Sequence, residues 1–333
     1  MNIKRPFKIS GVGKYLPKKL LENRELENEL GLESGWILKN IGVKRRFKAE
    51  GETGTDMAVK ALNLALLDAQ LPAKKLDLII SASATFDQII PNRSCLIKSK
   101  LGLENGDDFP CVDINSVCTS FISALDYASL LLLSGDFENI AIVSSEISSN
   151  GLNPKNPETY CLFGDAAAAV IVTKDSGSFG FIAHQQKTFS EAVSYTQIEG
   201  GGNLHHVKNN PYNPELFSFK MEGRKLLHLA FEKLPSFIQE FKRKQKIDFS
   251  NIDWFLPHQA SKMGFKVLSG LEGIEKTRVV NQLAEYGNCI AASIPLVLVN
   301  QIETGQIKNG DNCLLIGTAA GMNISSLLFK YGR

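Results

Sequence analysis

The two halves of the chain weakly repeat one another, and this repetition limits the possible folds more than any single motif does. Cys118 opens a long apolar run that ends at Leu133-Ser134-Gly135 and is followed by an apolar strand over 140–144. Asn288 opens a second run that ends at Glu303-Thr304-Gly305 and is followed by another apolar strand over 313–316. Each lead residue stands 17 positions before its glycine, which predicts that the thiol and the amide hold matching places in two copies of one unit. Upstream, Lys75-Leu76-Asp77-Leu78-Ile79-Ile80 is matched by Asn251-Ile252-Asp253-Trp254-Phe255-Leu256. Two α/β units related by a pseudo-twofold axis bring two helix N-termini to one central site.

Other segments fill in the expected architecture. Residues 7–12 read as a first strand, 55–67 as a helix, 78–82 as a strand, 92–101 as a helix, and 164–172 run into the last strand of the first half. The halves are expected at 1–174 and 175–333. A Gly- and Asn-rich stretch follows over about 174–215, containing Gly200-Gly201-Gly202 and His205-His206, and then a long amphipathic helix over 216–242. The adjacent histidines cannot share one helix face and read as loop, not as a metal site.

Cys118 carries the first chemical signal, because it lies where the strand-like run 109–114 turns into the helix-like run 119–133. Unpaired N–H groups and the dipole at a helix N-terminus favour the thiolate, the nucleophilic form of cysteine. The dipole contributes only about 0.3–1 kcal/mol, so a thiol with an ordinary pKa near about 8.5 stays mostly protonated at neutral pH. A second group is needed. His258 follows the apolar run 254–257, and the ends of buried strands often line ligand crevices; a capping or core role is equally open. Asn288 can donate a hydrogen bond without titrating, although a Gly-Asn turn before a helix also reads as a plain N-cap.

Composition agrees with an enzyme. A chain of 333 residues, 44% hydrophobic and 22% charged, can bury a large core and contains no low-complexity tract. Its start, Met1-Asn2-Ile3-Lys4-Arg5-Pro6-Phe7, has no apolar signal region, and no run reads as the roughly 20 apolar residues of a membrane span, so a cytoplasmic location is expected. The six cysteines form no C-x-x-C pair, so no zinc site or disulfide framework is expected. A net charge of +2 argues against a nucleic-acid footprint. The basic runs Lys44-Arg45-Arg46 and Lys242-Arg243-Lys244 read as solvated surface, or as a landing site for an acidic carrier protein if one lies at a pocket mouth.

Three segments carry a family resemblance. Asp113-Ile114-Asn115-Ser116-Val117-Cys118-Thr119-Ser120-Phe121, Pro257-His258-Gln259-Ala260 and Gly287-Asn288-Cys289-Ile290-Ala291-Ala292-Ser293-Ile294-Pro295 resemble the nucleophile, histidine and asparagine motifs of the β-ketoacyl-acyl-carrier-protein synthase III family, within the thiolase-like superfamily. The similarity extends from Ile9 to Tyr331, and Phe163-Gly164-Asp165-Ala166-Ala167-Ala168 resembles the family's structural Gly-Asp segment. The resemblance implies an α/β fold, a five-layered αβαβα sandwich of two duplicated halves, assembled as a homodimer. It implies that Cys118 takes an acyl group from a thioester primer, while His258 and Asn288 hydrogen-bond the thioester carbonyl of a malonyl extender as CO2 leaves. The N–H groups of Cys118 and of Ala320, in Gly317-Thr318-Ala319-Ala320-Gly321, would form the oxyanion hole. The implied partners are acyl carrier protein and an acyl-CoA or acyl-carrier thioester, with no nucleic acid, membrane, metal or cofactor.

Departures from the family pattern bear on substrate. Trp36 matches a tryptophan that stacks on the adenine of coenzyme A, while the arginine expected opposite it is replaced around Pro157. Met263 and His228 stand where basic carrier-protein contacts are common, with Lys262 as a substitute. Ile90, before Pro91, stands in place of a large aromatic that closes the primer pocket of acetyl-specific members, and the triple glycine resembles members that take longer chains. A primer longer than acetyl is expected. A degradative thiolase would need a second cysteine in the C-terminal turn, which 317–321 lacks. A 3-hydroxy-3-methylglutaryl-CoA synthase would need a glutamate near the thiol, and none is marked in the sequence. A specialised condensing enzyme forming dialkylresorcinol or cyclohexanedione precursors stays open, as does a catalytically silent partner subunit, although such subunits generally lose the nucleophile.

Overall fold

The computed structural model describes residues 1–103, 108–206, 208 and 213–333. Its main strands are β1 (Arg5–Tyr15), β2 (Leu78–Ser81), β3 (Cys111–Asp113), β4 (Asn139–Glu146), β5 (Ala166–Lys174), β6 (Gly180–Thr188), β7 (Trp254–Pro257), β8 (Asn312–Ala319) and β9 (Asn323–Lys330). They hydrogen-bond in the order β7-β8-β9-β6-β1-β5-β4-β2-β3. The order divides where Arg5 and Pro6 of β1 pair with Phe181 and Gly180 of β6. On one side β2 runs parallel to β3 and β4, β5 is antiparallel to β4, and β1 is antiparallel to β5. On the other side β7 runs parallel to Val279 and β8, β9 is antiparallel to β8, and β6 is antiparallel to β9. The two halves therefore have the same strand order and the same polarity.

Alternation along the strands builds the layers, since successive side chains point to opposite faces. In β4, Ile140 and Ile142 face the central core while Ala141 and Val143 face outward, and in β8 Cys313 and Leu315 face inward while Leu314 and Ile316 face outward. The central layer holds α3 (Ser120–Ser134) and α6 (Ser293–Glu303), packed between the two sheets. One outer layer holds α1 (Gly54–Asp68) and α2 (Arg93–Lys100), and the other holds α4 (Gly223–Gln245) and α5 (Lys262–Ser269). The result is the five-layered αβαβα sandwich that the resemblance implied.

Local sequence explains several boundaries. Helix α1 starts with a capping box, in which Asp56 N donates to Thr53 Oγ1 at 3.1 Å and Thr53 N donates to Asp56 Oδ2 at 2.8 Å. Its Ala65 carbonyl presses directly on Gly11 of β1 and its Ala61 carbonyl on Gly13, where any side chain would overlap helix backbone. Two readings are corrected. The helix expected over 216–242 begins at Gly223, because Pro214–Phe217 form a 3₁₀ turn and Lys220–Met221 pair as a short ribbon with Thr196–Gln197. One segment, Val117–Ser134, is in fact long and apolar enough by length and composition to cross a membrane; among the described residues it is the only one, and it lies in the central layer.

Candidate active site

Cys118 lies in a 3₁₀ turn, Val117–Thr119, that leads into α3. The turn is held by an unusual device. Val117 is β-branched yet has φ +54°, in the left-handed region. Its N–H donates to Asn115 Oδ1 at 2.9 Å, and Ser116 N donates to Ser120 Oγ at 3.0 Å. The same device recurs before α6. Ile290 has φ +47°, its N–H donates to Asn288 Oδ1 at 2.9 Å, and Cys289 N donates to Ser293 Oγ at 3.0 Å. The duplication is real, but its register differs from the one read in the sequence. Asn288 is the counterpart of Asn115, and Cys118 is the counterpart of Ala291. Gly135 and Gly305 are not counterparts, because α3 has 15 residues and α6 has 11, so the closing glycine falls at different distances from the helix start.

The two turns pack against each other, the first also against β8 and the second against β4, which gathers the candidate residues. The backbone N–H groups of Ala320 and of Cys118 itself lie near enough to Cys118 Sγ to favour its thiolate. Gly317 fits between the other two elements, since a Cβ on it would come within 3.1 Å of His258 Cβ and 3.3 Å of Thr119 Cγ2. Asn288 Nδ2 donates to Ala260 O at 3.3 Å, two residues beyond His258. Its Oδ1 is committed to Ile290, which leaves one amide hydrogen for a bound group.

Electrostatics at rest oppose a free thiolate. Burial pushes the Cys118 thiol up to about 12, with Glu146 adding to the rise and the two N–H groups opposing it. The helix start therefore does not make Cys118 a standing thiolate, because enclosure by protein outweighs the dipole. Burial also lowers His258 to about 4, so its imidazole is neutral. His258 follows β7, held by its N–H to Ile316 O at 2.8 Å. Nδ1 is buried without a hydrogen-bond partner. An N–H there would be stranded, which favours the tautomer carrying its proton on Nε2.

Glu146, at the end of β4, is the neighbour that sequence reasoning missed. It is fully buried and accepts from Ala84 N at 2.7 Å, Thr85 N at 2.9 Å and Thr85 Oγ1 at 2.7 Å. Burial raises its pKa while Arg93 opposes the rise. Its oxygens are thus committed to the 84–85 backbone and hydroxyl.

Comparison with known proteins decides the family. The profile described as "3-Oxoacyl-[acyl-carrier-protein (ACP)] synthase III" matches residues 112–189, and that of its C-terminal part matches 243–331. A β-ketoacyl-[acyl-carrier-protein] synthase III of Clostridium perfringens is 33% identical over 97% of this chain and 98% of its own length. The chain belongs to the β-ketoacyl-[acyl-carrier-protein] synthase III family. It is a condensing enzyme of the acyltransferase class. A Rickettsia bellii synthase III is 32% identical over 97% of this chain and 99% of its own length. The crystal structure of the synthase III from Aquifex aeolicus superposes with a TM-score of 0.88 at 30% identity, covering 98% of this chain and all of its own.

Two further expected residues, Trp36 and Lys262, are joined through one short helix. The short helix Trp36–Asn40 is capped by the buried Glu27 carboxylate, which accepts from Gly35 N and Ile37 N, each at 3.0 Å. Lys262 reaches the same helix, donating from Nζ to Lys39 O at 3.0 Å and lying across Gly42. An apolar recess lined by Ala230, Leu234, Ala260, Gly264 and Phe265 opens beside His258. Ile90 is not brought to the site: it is 82% exposed, on a loop that also exposes Phe86 and Ile89. Within one chain it cannot wall a primer pocket.

Proposed function

We propose that Cys118 is the acyl carrier of a decarboxylative Claisen condensation. The single observation that supports this best is that the backbone N–H groups of Cys118 and Ala320 both favour the Cys118 thiolate, on a turn packed against the turn that follows the half-free Asn288 amide. Sulfur attacks the primer thioester, a new S–C bond forms, and the primer's own S–C bond breaks. The thiol proton leaves Cys118 and ends on the departing thiol. The two N–H groups hold the oxyanion of the tetrahedral intermediate.

In the second half-reaction the malonyl C–C bond to the carboxylate breaks and CO2 departs. His258 Nε2–H and Asn288 Nδ2–H donate to the thioester carbonyl, which gains enolate charge. A neutral imidazole suits this role, because it donates without needing to be protonated first. The enolate carbon attacks the acyl carbon, the Cys118 S–C bond breaks, and the thiolate takes up a proton.

Acyl carrier protein is the proposed bearer of malonate, with the phosphorylated arm of the carrier, or of an acyl-CoA, entering past Trp36 and Lys262. The working unit is proposed to be a homodimer, each copy made of the halves 1–174 and 175–333, in which exposed Phe86, Ile89 and Ile90 meet a second copy. The primer is proposed to be longer than acetyl.

The test is mass spectrometry of the enzyme after incubation with acyl-CoA and acyl-carrier thioesters from two to ten carbons. An adduct on the Cys118 peptide, absent from Cys118→Ala, is expected. Labelling of Cys289 or Cys111 instead, or acylation that survives in Cys118→Ala, would overturn the assignment.

A further inference from the structure

We infer that Asn115 is a positioning residue for the nucleophile, an inference that rests on Cys118 being the acylated group. The peptide that joins Val117 to Cys118 lies in the turn that leads into α3 and carries one of the two N–H groups that favour the Cys118 thiolate. The direction of that peptide depends on Val117 staying at φ +54°, a conformation that costs a β-branched residue free energy. Something local must hold it. Asn115 Oδ1, 2.9 Å from Val117 N, is the acceptor that does so, and Ser120 Oγ secures the residue before by accepting from Ser116 N and donating to Val117 O at 2.7 Å.

Two observations separate this role from packing. Asn115 is exposed, so its side chain supplies no core contact whose loss would explain an effect. The same Asn, β-branched residue and Ser recur at Asn288, Ile290 and Ser293, with the same distances and the same left-handed φ. In the second half the asparagine also turns its amide toward Ala260 O and the site. In the first half its position before the nucleophile leaves only the holding function.

The experiment compares wild type, Asn115→Ala, Asn115→Asp and the double variant Asn115→Ala with Val117→Gly. Cys118 acylation by acetyl-CoA and hexanoyl-CoA is followed by mass spectrometry, with iodoacetamide alkylation of Cys118 and thermal unfolding measured in parallel. Asn115→Ala should slow acylation and alkylation about five- to tenfold, tenfold being about 1.4 kcal/mol, with the melting temperature little changed. Asn115→Asp keeps the acceptor and should stay within about twofold of wild type. Val117→Gly should restore the alanine variant, because glycine adopts positive φ without strain. Wild-type rates in Asn115→Ala, or a double variant as slow as the single one, would overturn the inference. If wild type alkylates at Cys118 but does not acylate there, the proposed function falls, while the alkylation rates still decide the role of Asn115.

Discussion

Phe163 and Asn288 lie side by side in a parallel backbone bridge, with Asn288 N donating to Leu162 O at 2.9 Å and Gly164 N donating to Asn288 O at 3.1 Å. The amide of the second half is thus positioned by a segment of the first. The approach is close enough that a Cβ on Gly287, at φ +68°, would come 2.5 Å from Leu162 O. The Phe163-Gly164-Asp165 segment meets Asn288 through this backbone contact, while the Asp165 carboxylate accepts from Ala49 N at 2.9 Å and Ser149 N at 3.0 Å.

Asn288→Ala and Asn288→Asp should both suppress malonyl decarboxylation by about 10²-fold or more, the usual cost of removing one oxyanion-hole donor. Both remove Nδ2–H, while aspartate retains an acceptor for Ile290 N. The alanine variant should therefore also lose about 1 kcal/mol of stability. Acylation of Cys118 should survive better than condensation. CO2 release and acyl-enzyme yield measured side by side check this, and normal condensation by the aspartate variant would remove Asn288 from the donor role.

His258 links the site to pH. Its pKa is about 4 in the folded chain against an ordinary 6.5. The unfolded chain therefore binds a proton that the folded chain does not as pH falls below about 6.5. Stability should be fully present above that value and decline toward pH 4, by about 3 kcal/mol in all from this one group. Urea midpoints at pH 7.5 and 5 should show the decline in wild type, and a smaller one in His258→Gln. An equal decline in the two proteins would mean that other groups cause it.

The thiol should behave as a weak acid. With Cys118 near 12, alkylation by iodoacetamide should rise about tenfold per pH unit from 7 to 9.5 without a plateau. Glu146→Gln removes the nearby carboxylate that raises the thiol, so the whole curve should shift toward faster alkylation. That variant should also be less stable, because three donors lose a charged acceptor. A plateau below pH 8 in wild type would show that a thiolate already stands in the resting site.

The layers and three site residues were legible in the sequence because the signals are local. Apolar runs bounded by polar turns mark the buried strands; His258 ends such a run, and Cys118 and Asn288 each open the apolar run of a central helix. The register of the duplication was legible only at the helix starts, where Asn115-Ser116-Val117-Cys118-Thr119-Ser120 faces Asn288-Cys289-Ile290-Ala291-Ala292-Ser293. Helix ends mislead because helix length is set by tertiary packing. Glu146 left no mark, since its partners Ala84 and Thr85 come from a different segment of the chain. The upward shift of the Cys118 pKa also depends on enclosure, which no local pattern records.

Ile90 bears on primer length only through a second copy of the chain. Its loop is anchored by Asp87, whose carboxylate accepts from Gly54 N at 2.8 Å and Thr55 N at 2.7 Å, and the Ile90 side chain is 82% exposed. If it caps the partner's pocket, its small volume leaves room for a longer primer. Each buried CH2 is worth about 0.8 kcal/mol, so four added carbons should favour the longer primer by about 3 kcal/mol, on the order of a hundredfold in kcat/KM. Ile90→Phe should remove that preference. Acylation kcat/KM from acetyl to decanoyl thioesters, on coenzyme A and on carrier protein, measures the effect in both enzymes. Dilution until the assembly dissociates should erase the difference between them, because the residue would then face solvent in both. A wild-type optimum at acetyl that Ile90→Phe leaves unchanged would show that Ile90 closes no pocket in either copy.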